Sequence, residues 1–178
     1  MKSYSIVSGF CLILMLLLYM QTEKKITQNP KKNMYMNIMI TGIIYMVIDT
    51  LWGIAYTDLF SIPIILQKII YAIYFIISAA LSYNWFIFVE YMQGSVFYKN
   101  VTLKRVLKIP LLITIFLSVL SIWTGSFFHI SESGEYLIGP WYFLQLLLTY
   151  GYITFSALKV FCFMFLTKDF ERQNTYMI

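Results

Sequence analysis

Four charged side chains lie inside apolar runs or at their edges: Asp49, Lys68, Glu90 and Lys159. Asp49 sits in MVIDTLWGIAY (46–56), a stretch that otherwise belongs in oil. A charge at a bilayer centre costs on the order of 3 kcal/mol on insertion scales. Such groups face protein and have a partner, and the chemistry open to them is ion pairing, ligand binding or proton handling. Depth suggests a partner for Asp49, because it precedes Tyr56 by about as many residues as Lys68 follows Ile62. At about 1.5 Å per residue, both lie ~9–10 Å inside the same boundary. Their segments are joined by a short link, so antiparallel neighbours are expected. An Asp49–Lys68 ion pair is therefore the expectation. In the alternative each acts alone: Lys68 snorkels along its stem, and Asp49 is protonated or bonds a neighbour's hydroxyl. Glu90 and Lys159 both fall near the opposite boundary, where interfacial snorkelling is expected.

Other candidate chemistry is sparse. His129, the single histidine, stands near Glu132, Glu135 and Tyr136. One imidazole and two carboxylates could hold a metal weakly, but a lone loop histidine is usually solvated, and no metal is expected. These residues form a candidate extracellular sensing loop. Cys11 and Cys162 lie in separate apolar runs and form no CxxC or zinc set. They read as small buried hydrophobes. Nothing resembles a triad, a zincin helix, a phosphate-binding loop or a dinucleotide fingerprint. No enzyme activity and no cofactor are expected. Asn100-Val-Thr102 fits the glycosylation sequon but falls on the cytoplasmic side of the expected topology.

The elements that must position these groups follow from composition. The chain has 178 residues, 60% hydrophobic and 12% charged, with a mean hydropathy of +0.74. Soluble domains are about 45–50% apolar and ~25% charged. A spanning helix needs ~20 mainly apolar residues, and five runs fit: 4–20, 34–56, 62–91, 106–127 and 141–166. The fold class expected is an all-α membrane protein, a single domain over 1–178. It is a bundle of five transmembrane helices with a short extracellular hairpin between the fourth and fifth. Lys2 and the apolar run after it resemble a signal peptide, but no small-residue cleavage site follows, so a retained helix is expected. Pro30 and Ser61 with Pro63 read as helix starts. The Ser-Glu-Ser-Gly stretch in HISESGEYLIGP reads as a hairpin turn. Ser78-x-x-x-Ser82, with Ser118, Ser121 and Gly125, offers small faces for close helix contact. Trp141 reads as an interface anchor.

Charge sets the orientation. Lys24, Lys25, Lys31, Lys32, Lys99, Lys104, Arg105, Lys108, Lys168 and Arg172 fall on one side. Lys2 is alone on the other, with Asp58, His129, Glu132 and Glu135. The positive-inside rule then puts the N-terminus outside and the C-terminus in the cytoplasm, and usage rich in Ile, Lys, Tyr, Phe, Met and Asn but poor in Ala and Arg resembles an AT-rich bacterial genome. The expected partners are the lipid bilayer, a cytoplasmic output domain or protein at the C-terminus, and a second copy in a homodimer. Nucleic acid is not expected, since loop topology accounts for the net charge of +5.

The stretches IDTLWG (48–53), YNWFIFVEYMQGS (83–95), LKIP (107–110) and EYLIGPWYFLQLLLTYGY (135–152) occur in this order. Together they resemble the N-terminal membrane module of clostridial and related Firmicute signalling proteins. There a multi-span sensor region precedes a cytoplasmic diguanylate cyclase (GGDEF) or histidine-kinase output domain. The resemblance implies a sensor or regulatory role, read through the fifth helix. It departs from that family in lacking a GGDEF motif, so no cyclase activity carries over. Both an excised sensor and a stand-alone relative are consistent with this. The alternative function is a small membrane transport or substrate-binding component, suggested by the intramembrane charges.

Overall fold

The computed structural model describes residues 2–25, 30–56, 62–132 and 134–166. The expected helix start at Ser61, the centre of the first linker (26–29) and the polar tail (167–178) lie outside the described residues. The chain is mostly helical. Helix α1 covers Lys2–Lys25 and α2 Pro30–Tyr56. Pro30 takes the first helical position, where a missing N–H costs nothing. Helix α3 runs Ile64–Met92 behind Pro63, whose carbonyl accepts the Leu66 and Gln67 N–H groups at 2.9 and 3.1 Å.

The basic stretch after α3 is not a plain loop. It folds into α4 (Val96–Lys99) and α5 (Val101–Val106). Asn100 starts α5 by accepting the N–H groups of Thr102 and Leu103 at 2.9 and 3.3 Å, as a good N-cap does. Helix α6 covers Ile109–Thr124 and α7 Tyr142–Leu166. Between them lie β1 (Phe128–Ile130) and β2 (Tyr136–Ile138).

Four stretches are long and apolar enough to cross a membrane: Lys32–Gly53, Ile64–Met92, Val101–Thr124 and Tyr142–Cys162. Val7–Gln21 is a shorter apolar helix. This fits a multi-pass membrane protein.

Helix α3 is the hub, packing against α2, α6 and α7, while α1 packs on α2. The outer face is apolar, and the interior mixes small polar side chains with aromatic clusters. Phe116, Trp123, Phe143 and Phe161 are exposed. Thr114, Ser118 and Ser121 of α6, Gln145, Thr149 and Ser156 of α7, and Ser78 and Ser82 of α3 are buried. Small polar side chains let helices approach closely where lipid supplies no hydrophobic drive between them. Several hydroxyls stay inside their own helix: Thr114 donates to Pro110 O and Ser82 to Ser78 O, each at 3.0 Å.

The hairpin closes one end of the bundle. Its strands are antiparallel, pairing Phe128 with Ile138, His129 with Leu137 and Ile130 with Tyr136. The turn is held by Ser131, whose N–H donates to Glu135 O and whose hydroxyl accepts the Glu135 N–H. Ser121 joins the hairpin to α6, its Oγ accepting the Phe127 and Phe128 N–H groups at 2.7 and 3.2 Å. Gly125 ends α6 with φ 67°, a left-handed conformation that suits glycine.

Gly139 is where the returning strand passes closest. A Cβ there would stand 2.3 Å from Ser126 O and 2.5 Å from Gly125 O. Gly139→Ala therefore forces backbone apart and breaks the Gly139 N–H bond to Phe127 O. The expected loss is about 1–3 kcal/mol, read by thermal unfolding in detergent. Parent-like stability would contradict the close approach.

Candidate functional site

Helix α3 carries a cluster at each end. At the hairpin end the centre is Tyr71, Phe75, Phe127, Phe128 and Ile130, all buried. Tyr71 and Phe75 recur on one face of α3, a turn apart, and β1 turns Phe128 and Ile130 inward while His129 points out. Tyr71 stacks on Tyr136 at 4.8 Å and on Phe128 at 5.6 Å. Trp52 of α2 stacks on Tyr74 at 5.7 Å, and the Tyr45 and Tyr74 hydroxyls lie 3.1 Å apart. Offset rings of this kind contribute ~0.5–1.5 kcal/mol per pair beyond area burial. Burial, with the oxygens of Tyr142, Tyr71 and Tyr74 nearby, pushes the Tyr136 hydroxyl above the ordinary tyrosine range. It therefore stays neutral at physiological pH.

Of the candidate sensing loop, Tyr136 joins this aromatic cluster. His129 and Glu132 are exposed on the hairpin. Among the described residues no three His, Cys, Asp or Glu side chains converge on a metal position.

At the other end of α3 the charged groups meet. Glu90 is fully buried, and both its oxygens receive the Lys159 ammonium, at 2.6 and 2.7 Å. The Ser95 hydroxyl also donates to Glu90 Oε2. The Phe97 ring centre lies 4.9 Å from Lys159 Nζ, a cation–π distance. The local fold explains this convergence. Gly94 turns the chain at the end of α3, its N–H bonding Tyr91 O and the Ser95 N–H bonding Glu90 O. That turn returns Ser95 and α4 over the carboxylate. A chelated pair with an extra hydroxyl and an aromatic face is how a low-dielectric site tolerates two charges.

Asp49 is also buried, but it accepts a hydrogen bond from Ser8 of α1. No ion pair joins it to Lys68 among the described residues, and Lys68 is half-buried on α3. Depth places the two level, but pairing also needs matching rotation about each helix axis. Asp49 meets α1, and at the start of α3 the buried side chain is Gln67, next to Lys68. The ion pair forms instead between Glu90 and Lys159, two residues for which interfacial snorkelling was expected. Their shared depth was a readable signal.

A polar stripe along α7 was not anticipated. Gln145, Thr149, Tyr152, Ser156 and Lys159 recur every three or four residues, so they share one face. The first four are buried. Cys11 is half-buried and Cys162 exposed, so the expectation that both are buried does not hold.

Fold and site together define a helical bundle with membrane-length apolar helices, whose interior holds aromatic clusters, small polar side chains and one ion pair. Compared with known proteins, the chain matches no family model, no curated protein and no solved structure.

Proposed function

We propose that this chain is the membrane-embedded sensor or regulatory module of a bacterial signalling protein. It crosses the membrane five times, with the N-terminus and hairpin outside and the C-terminus in the cytoplasm. One observation carries the reading: a single helix, α3, holds the hairpin's aromatic cluster at one end and the Glu90–Lys159 pair at the other. At about 1.5 Å per residue, Tyr71 and Glu90 stand about 28 Å apart. That is close to the ~30 Å of a bilayer's hydrocarbon core. Lys99, Lys104, Arg105 and Lys108 gather at the Glu90 end, which favours that end inside.

A stimulus at the hairpin would shift α3 as a rigid element. The ion pair ties that shift to α7, the helix that leads toward the C-terminus. A cytoplasmic output domain or partner protein would read it there. The resemblance to sensor modules of signalling proteins supports the same role.

The test grafts a diguanylate cyclase domain after Ile178. Tyr136→Ala in the hairpin should change cyclase output on the order of 5-fold or more, the lower range of allosteric coupling. Adding a Glu90→Gln, Lys159→Met double substitution should remove that response. If Tyr136→Ala leaves output at the parent level in a folded, membrane-inserted protein, the sensor reading is wrong.

A further inference from the structure

An open groove of about 350 Å3 lies between α6 and α7. Leu107, Pro110, Leu148, Gly151 and Phe155 line it, with the buried side chains of Phe86 and Tyr152. The groove is apolar. At one end it meets the corner between α5 and α6, and that corner is fixed. The Tyr152 hydroxyl donates to Leu107 O at 2.6 Å and accepts the Leu111 N–H at 3.2 Å. The corner is thereby clamped to α7.

The same corner carries Arg105 and Lys108, both exposed and flanking Leu107 in sequence. Neither has a carboxylate partner among the described residues. Two exposed cations are thus carried within two residues of Leu107, at the end of a hydrocarbon-lined groove. A second groove, of about 510 Å3 between α3 and α7, lacks this arrangement. The cation near it, Lys159, is held by Glu90.

We propose that the groove and the basic corner bind a phospholipid with a net negative headgroup. One acyl chain lies along the groove against Leu148, Gly151 and Phe155. The phosphate meets Arg105, whose planar fork matches two phosphate oxygens, and Lys108 adds a second charge. Basic pockets beside membrane helices recognise anionic headgroups in this way. Gly151 keeps the groove open: a Cβ there would meet nothing within 4 Å. The site needs only that the bundle lies in a membrane, and it stands whichever end faces the cytoplasm.

The experiment is native mass spectrometry of the full chain in detergent, titrated with phosphatidylglycerol or phosphatidylcholine. Phosphatidylglycerol should be retained preferentially. The Arg105→Gln, Lys108→Gln double variant should lower its retention roughly 30-fold, for two cations of ordinary interfacial strength, and lower phosphatidylcholine, whose choline offsets the phosphate charge, far less, so that the preference is lost. Gly151→Leu, which the open space admits, should also lower it by filling the groove, with the thermal midpoint at the parent value. Equal retention of the two lipids overturns the proposal. So does loss in the charge variant with no change in Gly151→Leu, since that pattern describes adsorption to a basic surface without a groove.

Discussion

Lys159→Ala should destabilise the protein by about 3 kcal/mol, the low end for removing one partner from a buried ion pair, since Lys159 keeps 26% of its side chain exposed. Glu90 is fully buried, and both its oxygens take their close contacts from the lysine ammonium. Without that cation the carboxylate keeps the Ser95 hydroxyl. It must then stay charged in a low-dielectric site or take up a proton, and either route costs stability. The Phe97 ring loses its cation as well. Two comparisons separate this mechanism from lost packing. Glu90→Gln with Lys159→Met removes both charges at similar volume, and should recover most of the loss, because paired apolar replacements are often neutral or better. Lys99→Ala, at an exposed position, should change stability by less than about 0.5 kcal/mol. Unfolding in detergent measures all three. A Lys159→Ala variant within about 1 kcal/mol of the parent would contradict the pairing.

Phe128→Ala should cost about 3–5 kcal/mol, the range for deleting a buried ring. The ring is 1% exposed and lies between Tyr71 and Phe75, with centroids 5.6 and 5.7 Å away. With Ile130 it holds β1 on α3. Its removal leaves a cavity that Tyr136, stacked on the far side of the cluster, is not placed to fill. The effect should be local as well as global. Cleavage in the Ser131–Gly134 turn by an added protease should speed up before the helices unfold, since the turn depends on the hairpin's seat. Ile138→Ala is the control, at 68% exposure in the partner strand, and should stay within about 0.5 kcal/mol of the parent. If the two variants unfold and cleave alike, the hairpin is not seated as described.

Much of the fold was readable because the bilayer restricts it. Membrane-length apolar runs mark helices whatever their neighbours, and the helix of Ile64–Met92 begins and ends within a few residues of its expected bounds. The Ser-Glu-Ser-Gly stretch marked the hairpin through turn chemistry, and Ser78, Ser82, Ser118 and Ser121 marked the close helix faces. Rotation about each helix axis was harder to read. Asp49 and Lys68 are level by residue count but form no ion pair among the described residues, and the alternative partner for Asp49, a neighbour's hydroxyl, is supplied by Ser8. Glu90 and Lys159 share a depth and do pair. The short helices after Gly94 were hidden because a basic, polar stretch reads as loop. Their cue was Asn100, an N-cap two and three residues before the amides it accepts.

The most direct test of the proposed orientation is a pair of reporters carried by the full chain. Alkaline phosphatase, active only outside the cytoplasm, is inserted in the turn between Ser131 and Gly134. A fluorescent protein, bright only in the cytoplasm, is fused after Ile178. The expected result is an active phosphatase in the turn and a bright fluorophore at the end. A silent phosphatase in the turn with a dark fluorophore at the end would reverse the orientation, and would place the hairpin and the Glu90–Lys159 pair on the wrong faces for the proposed signal.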